Sequence, residues 1–141
     1  MNLIDRAFLL KKNPIFTSLD MDVLLAISDK TEIMIFKPGA KIFSIEQPSF
    51  SLYIIAEGYV KITDSSSLSV TISSHECFGE ESLFSNKLRE YNAEAITQVR
   101  TLILSKGQFL SIVEECPSVA LSLLELYAKQ ITFRYPASLN T

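Results

Sequence analysis

The stretch Phe78-Gly79-Glu80-Glu81-Ser82-Leu83-Phe84-Ser85-Asn86-Lys87-Leu88-Arg89 holds residues that could grip an anion esterified to a sugar. Gly79 lets the main chain approach an anion closely and tolerates dihedrals that a side chain would forbid. A helical turn starting near Glu80 would aim its unpaired N–H groups at that anion. Arg89 follows Glu80 by nine residues and adds a planar, charge-assisted fork for phosphate oxygens. Glu80, held beside the sugar, can accept a hydrogen bond from a ribose hydroxyl. Taken singly, each residue has an ordinary use: a turn glycine, a carboxylate complementing a helix dipole, a solvated arginine. The combination and its spacing carry the chemistry.

These residues need a frame, and the chain reads as many short strands between helices. Residues 3–11 have helical spacing, with Leu3, Ile4, Ala7 and Phe8 on one stripe and Leu10 near it. Asn13-Pro14 ends that helix, because the residue before proline resists helical dihedrals. Ile15, Phe16 and Leu19 form a short apolar plug. Asp20 is an N-cap candidate for a helix to about Ser28 that buries Val23, Leu24 and Ile27. From Thr31 the period becomes two, with Ile33 and Ile35 alternating with Met34 and Phe36. Strands follow at 41–44, 52–57 and 59–63, with turns at Pro38-Gly39 and at Gly58 and a loop at 46–49. Ser65-Ser66-Ser67 turns the chain, and Leu68, Val70 and Ile72 then alternate with Ser69, Thr71 and Ser73. Two more strands are expected at 93–96 and 100–105. This pattern predicts an antiparallel sandwich or barrel. A short helix at 107–115 and a longer one at 117–133 complete the chain, with Pro117 in a first turn where its missing N–H costs nothing. The longer helix is apolar on more than one face, including Val119, Leu121, Leu123, Leu124, Tyr127, Ile131 and Phe133. One face can pack on the barrel; the other either sinks deeper into the same domain or asks for cover from a partner. Residues 136–141 read as a loose tail.

The stretch at 78–91 resembles the phosphate-binding cassette of the cyclic nucleotide-binding domain family, Phe-Gly-Glu-x-(Ala/Ser)-Leu with an arginine at this spacing. Leu19 and the helix after it, Pro38-Gly39-Ala40-Lys41-Ile42-Phe43, and Leu52 through Ile62 are similar to family landmarks in family order, so the likeness covers roughly residues 13–133. It implies one domain over 1–141. The expected fold is mainly β: a double-stranded β-helix (jelly-roll) barrel at about 31–106, with N-terminal helices and a C-terminal helix pair at about 107–134. It implies a non-catalytic regulatory domain that binds cAMP or cGMP through Gly79, Glu80, Ser82 and Arg89. Binding would order the cassette, fix the ribose on Glu80 and move the C-terminal helices by population shift. The last helix would serve as a lid over the base or as a homodimer contact through residues 117–133, and an effector protein would read the motion. Related transcription regulators carry a helix-turn-helix domain after their last long helix. This chain stops at Thr141, so direct DNA control is not expected.

Two departures define a second reading. After the arginine the family carries small residues, whereas this chain has Glu90 and Tyr91. A strand alternates its side chains, so with Arg89 inward Glu90 faces out and Tyr91 faces in. There its ring either fills the phosphate site or stacks on a ligand. Upstream, His75-Glu76 and Glu46-Gln47 replace Gly-Asp-type turns. The alternative function is a degenerate member that has lost its nucleotide and serves as a protein-interaction or dimerisation module.

Other chemistries find little material. His75 is the single histidine, too few for the imidazole cluster of a metal-binding barrel. No metal and no resident cofactor is expected. A Cys77–His75 pair two residues apart would share a strand face, yet nothing outside the cassette offers an oxyanion hole, so no enzyme is expected. Net charge is −3 with no basic block, which argues against nucleic acid. Two cysteines, Cys77 and Cys116, do not make a disulfide framework and suit a reducing cytoplasm. The N-terminus lacks the charged head and apolar core of a signal peptide, and no run is long enough to span a bilayer. Mean hydropathy is +0.24, consistent with some apolar surface covered by a partner.

Overall fold

The computed structural model of the chain describes residues 1–83 and 85–125. Two helices, α1 (Leu3–Lys11) and α2 (Met21–Asp29), precede eight strands: β1 (Glu32–Phe36), β2 (Lys41–Phe43), β3 (Ser51–Glu57), β4 (Val60–Asp64), β5 (Ser69–Ile72), β6 (Cys77–Phe78), β7 (Tyr91–Ala95) and β8 (Val99–Ser105). A 3-10 turn, Glu80–Leu83, sits between β6 and β7, and α3 (Lys106–Glu115) follows β8. Residues 118–125 are again helical. The rest of the last expected helix, with Tyr127, Ile131 and Phe133, and the tail at 136–141 lie outside the described residues.

The strands form two four-stranded antiparallel sheets, β1-β8-β3-β6 and β2-β7-β4-β5. This is the expected jelly-roll-like β core with flanking helices. Local chemistry accounts for the elements. Asn2 and Asp5 make a reciprocal capping box at the start of α1. Asp20 sits at the N-cap of α2, but its side chain makes no capping bond. Asn13 is buried and fastens the segment after α1 to the barrel: its Oδ1 accepts from Ile15 N–H at 2.9 Å and its Nδ2 donates to the His75 carbonyl at 2.9 Å. At the β4–β5 hairpin, Asp64 accepts from the main-chain N–H groups of Ser66 and Leu68, while Ser67 adopts φ +67°. Such a three-residue loop with a left-handed third residue matches strand twist.

Two apolar clusters hold the sheets and helices. The larger joins α1, α2, β3, β8 and α3 through residues such as Leu10, Phe16, Leu24, Ile54, Leu102, Leu104 and Ile112, and also takes in Val119 and Leu123. The smaller lies between the sheets and contains Phe43, Ile55, Val60, Phe78, Ala93, Ala95 and Val99. Each fully buried aliphatic side chain contributes about 1.5–3 kcal/mol. Val119 and Leu123 are buried while Leu121 and Leu124 are 61% and 65% exposed, so the described part of the last helix does present two apolar faces.

β7 starts at Tyr91, two residues earlier than alternation from Ala93 suggested, and β6 was not foreseen at all. Both short stretches are held by pairing with distant strands, β4 and β3 respectively, which local periodicity cannot register.

Candidate functional site

β6 delivers Phe78 and Gly79 to the 3-10 turn, and β7 brings Tyr91 back beside it. Gly79 has φ +78°, and a Cβ there would stand 2.8 Å from Arg89 Nη1 and 2.9 Å from the Ser51 carbonyl. The position thus requires both the left-handed backbone and the missing side chain. The turn that follows is a single 3-10 turn rather than a longer helix.

All four residues expected to bind are local to this turn. Ser82 is fully buried, and its Oγ donates to the Gly79 carbonyl at 2.7 Å. Arg89 is 3% exposed and turned inward. Its Nη2 donates to the Ser51 carbonyl at 2.7 Å, and its Nη1 donates to the Gly79 carbonyl at 3.2 Å and to Glu81 Oε1 at 3.0 Å. Its Cζ lies 4.0 Å from the centre of the Phe43 ring, a cation–π contact. Only Nε lacks a partner.

Glu81 and Tyr91 complete the arrangement. Tyr91 Oη accepts from the Gly79 N–H at 2.6 Å and donates to Glu81 Oε2 at 3.1 Å. Burial, reinforced by the Glu81 charge, holds the phenol well above its ordinary range, so it stays protonated and able to donate. One carboxylate oxygen of Glu81 therefore meets the guanidinium and the other meets the phenol. The Tyr91 ring packs 5.3 Å from Phe43, within a set of rings that includes Tyr53 and Phe78. Between strand and turn, the expectation that Tyr91 faces inward holds, and its hydroxyl occupies the Gly79 amide.

Glu80 is different. Its Oε2 is buried without a hydrogen-bond partner. Burial raises its carboxyl above the usual range, with its own main-chain amide opposing and the Glu81 charge adding to the rise. Glu80 lines a cleft of about 590 Å³ with Glu81, Ser85, Lys87, Leu88, Glu90 and Leu124. Arg89 borders a different opening of about 700 Å³, with Glu46, Asp64, Lys87 and Glu90 among its walls. Both openings are lined with carboxylates and share Lys87, Leu88 and Glu90, while the Arg89 side chain is only 2% exposed.

Sequence reading missed Glu81, which occupies the variable position of the motif. The available signal was charge: a carboxylate on a turn beside a buried arginine is an obvious counterion. The Cys77 thiol is pushed up to about 12 by burial and then by the Glu80 charge. His75 lies in a left-handed turn at φ +75°, so the strand alternation that would align it with Cys77 is broken. Among the described residues, no three His, Cys, Asp or Glu side chains gather to hold a metal, and no helix is long and apolar enough to cross a membrane.

A double-sheet jelly-roll core with flanking helices carries a glycine–carboxylate turn against a buried arginine. The family model of the cyclic nucleotide-binding domain matches residues 33–116, and the chain belongs to that family. Similar curated proteins are potassium/sodium hyperpolarization-activated cyclic nucleotide-gated channel 1 of Oryctolagus cuniculus, 25% identical over 91% of this chain, and channel 2 of Mus musculus, 27% identical over 74%. The chain spans only 16% and 12% of those channels. Among solved structures, the N-terminal domain of a transcriptional regulator from Streptomyces coelicolor A3(2) superposes with TM-score 0.83 at 27% identity, covering 92% of this chain and 94% of that one. The Thermus thermophilus catabolite activator protein gives TM-score 0.73 at 25% identity, covering 91% and 62%.

Proposed function

We propose that this chain is a non-catalytic regulatory module whose anion site is closed from within, and that it works through contacts with other protein surfaces rather than through a cyclic nucleotide. The observation that carries this reading is the Tyr91 hydroxyl on the Gly79 N–H at 2.6 Å. A phosphate would have to displace that phenol and also detach Glu81 from Arg89. A phosphodiester ~6 Å from the Glu81 carboxylate would cost about 3 kcal/mol at an effective dielectric of ~20. A charge-assisted bond from Arg89 returns about 1.5–3 kcal/mol. The repulsion is as large as the gain, before the lost internal bonds are counted. The named relatives are cyclic nucleotide-gated channels and a transcriptional regulator, which supports a regulatory rather than a catalytic role for this domain. A Cys77 thiol held protonated supports the absence of nucleophilic chemistry. The free thiols of Cys77 and Cys116 support a reducing, cytoplasmic setting.

One observation favours a second reading, the cAMP or cGMP sensor that uses Gly79, Glu80, Ser82 and Arg89. The unpartnered Glu80 oxygen is what a ribose hydroxyl would satisfy. Titration calorimetry with cAMP and cGMP separates the two. The closed-site reading expects no saturable heat and no melting shift at millimolar nucleotide, and it expects binding to appear in the double variant Tyr91→Ala, Glu81→Ala. Saturable micromolar binding by the unaltered chain overturns it in favour of the sensor.

A further inference from the structure

Four strands end the two sheets, and three of them are guarded. β1 contains Glu32 and lies between Lys30 and Lys37. β2 is three residues long, contains Lys41 and breaks register. β6 has two residues. Short, charged or irregular edges resist pairing with another chain. β5 has four residues, but it carries no charge and keeps its register with β4 throughout. From Ser65 to Ser74 there is no charged residue, no proline and no glycine. Leu68 and Val70 on this segment are 72% and 57% exposed.

The β4–β5 ladder shows which main-chain groups face the free edge. Asp64 N–H donates to the Leu68 carbonyl at 3.0 Å. The register then sets Ile62 opposite Val70 and Val60 opposite Ile72. In an antiparallel pair, hydrogen-bonded and open pairs alternate. Val70 and Ile72 therefore bond back to β4, while the N–H and C=O groups of Ser69 and Thr71 point away from the sheet. One residue further on, the Ser73 N–H is already taken by Glu76 Oε2 at 2.6 Å, and the free edge ends there.

We propose that β5 pairs antiparallel with β5 of a second copy of this chain, about a two-fold axis through Val70. That register sets Ser69 against Thr71 of the partner, where the outward groups of each pair exchange two hydrogen bonds, four in all. On one face it aligns Leu68 with Ile72, Val70 with Val70, and Ile72 with Leu68, covering the exposed apolar side chains. On the other face serine meets threonine, a favourable cross-strand hydroxyl pair. Axes through Ser69 or Thr71 would set Leu68 against Val70 or Ser74 and leave part of the apolar row unmatched. A two-fold pair sets each strand against itself, so a neutral strand meets no like charge. The contact is isologous and closes on itself, giving a continuous eight-stranded sheet rather than a fibre. It is independent of the nucleotide question and distinct from a dimer through residues 117–133.

Sedimentation equilibrium of the full chain, over a rising concentration series, tests the pairing. The expected mass climbs from one chain toward two, and hydrogen exchange at the Ser69 and Thr71 amides slows with concentration. Val70→Lys, which sets two ammonium groups together on the axis, abolishes association. Thr71→Pro removes two of the four inter-chain bonds without touching the β4 ladder and weakens association roughly tenfold. Both variants are expected to keep the thermal midpoint of the dilute parent. A parent that stays monomeric throughout overturns the proposal. So does association that survives both substitutions but is lost in Leu124→Glu, which would assign the dimer to the last helix.

Discussion

Arg89 carries four separate interactions without any ligand, and that changes what its removal should do. An arginine kept for an exchangeable anion is dispensable to the empty domain. Here Arg89→Ala would strip donors from the Ser51 and Gly79 carbonyls and a counterion from Glu81. The expected loss is about 2–3 kcal/mol of stability, read from urea unfolding in the absence of nucleotide. Glu80 makes the opposite prediction. Its folded carboxyl sits above the ordinary value of 4.5 because burial disfavours the charge. The native state therefore holds its proton to higher pH than the unfolded chain does, and stability falls as pH rises from about that ordinary value through the raised one. Glu80→Gln should raise the melting temperature at pH 7, and the gain should shrink toward pH 4. A gain that does not change with pH would rule out the buried charge as its cause.

At the scale of turns and strands, the two departures upstream of the cassette have a physical counterpart. Glu46 and His75 stand where Gly-Asp-type turns are expected, and both adopt left-handed backbone, φ +72° and +75°. Non-glycine residues hold that conformation at a cost of about 1 kcal/mol or more. Glu46→Gly and His75→Gly should each raise stability by about 1 kcal/mol, measured by thermal denaturation. Gly79→Ala should do the reverse, by about 1–3 kcal/mol, since it adds strain and a clash with Arg89 and the Ser51 carbonyl. The strands themselves were legible because alternation survives wherever one face is buried. The start of β7 was not, because Tyr91 and Asn92 are paired to Asp64 and Thr63 of β4 across the sheet.

In the whole molecule, β3 and β8 serve both cores. Ile54, Leu102 and Leu104 belong to the helix-facing cluster, while Ile55 and Val99 belong to the cluster between the sheets. The two cores should therefore melt together. Far-UV circular dichroism and tyrosine fluorescence, the latter including the half-buried rings of Tyr53 and Tyr91 among five tyrosines, are expected to trace one transition. Leu102→Ala, opposite Ile54 in the register and fully buried, should cost about 2–5 kcal/mol and shift both probes equally. Separate transitions would show that the cores are energetically independent.

The family, the antiparallel strand pattern and the location of the cassette were already contained in the chain's residue types and spacing. Those features depend on local period, on glycine's freedom and on a fixed interval between carboxylate and arginine. The state of the site was decided only in three dimensions. Alternation placed Tyr91 inward but left open whether its ring would fill the site or stack on a ligand. The charge of Glu81 suited it to pair with Arg89, but a motif position marked x did not say that it would join both a guanidinium and a phenol. Such contacts arise when β6, the turn and β7 are brought within 3 Å by pairing with β3 and β4. Their partners lie eight to twelve residues apart along the chain, and only the packed sheets set the distance between them.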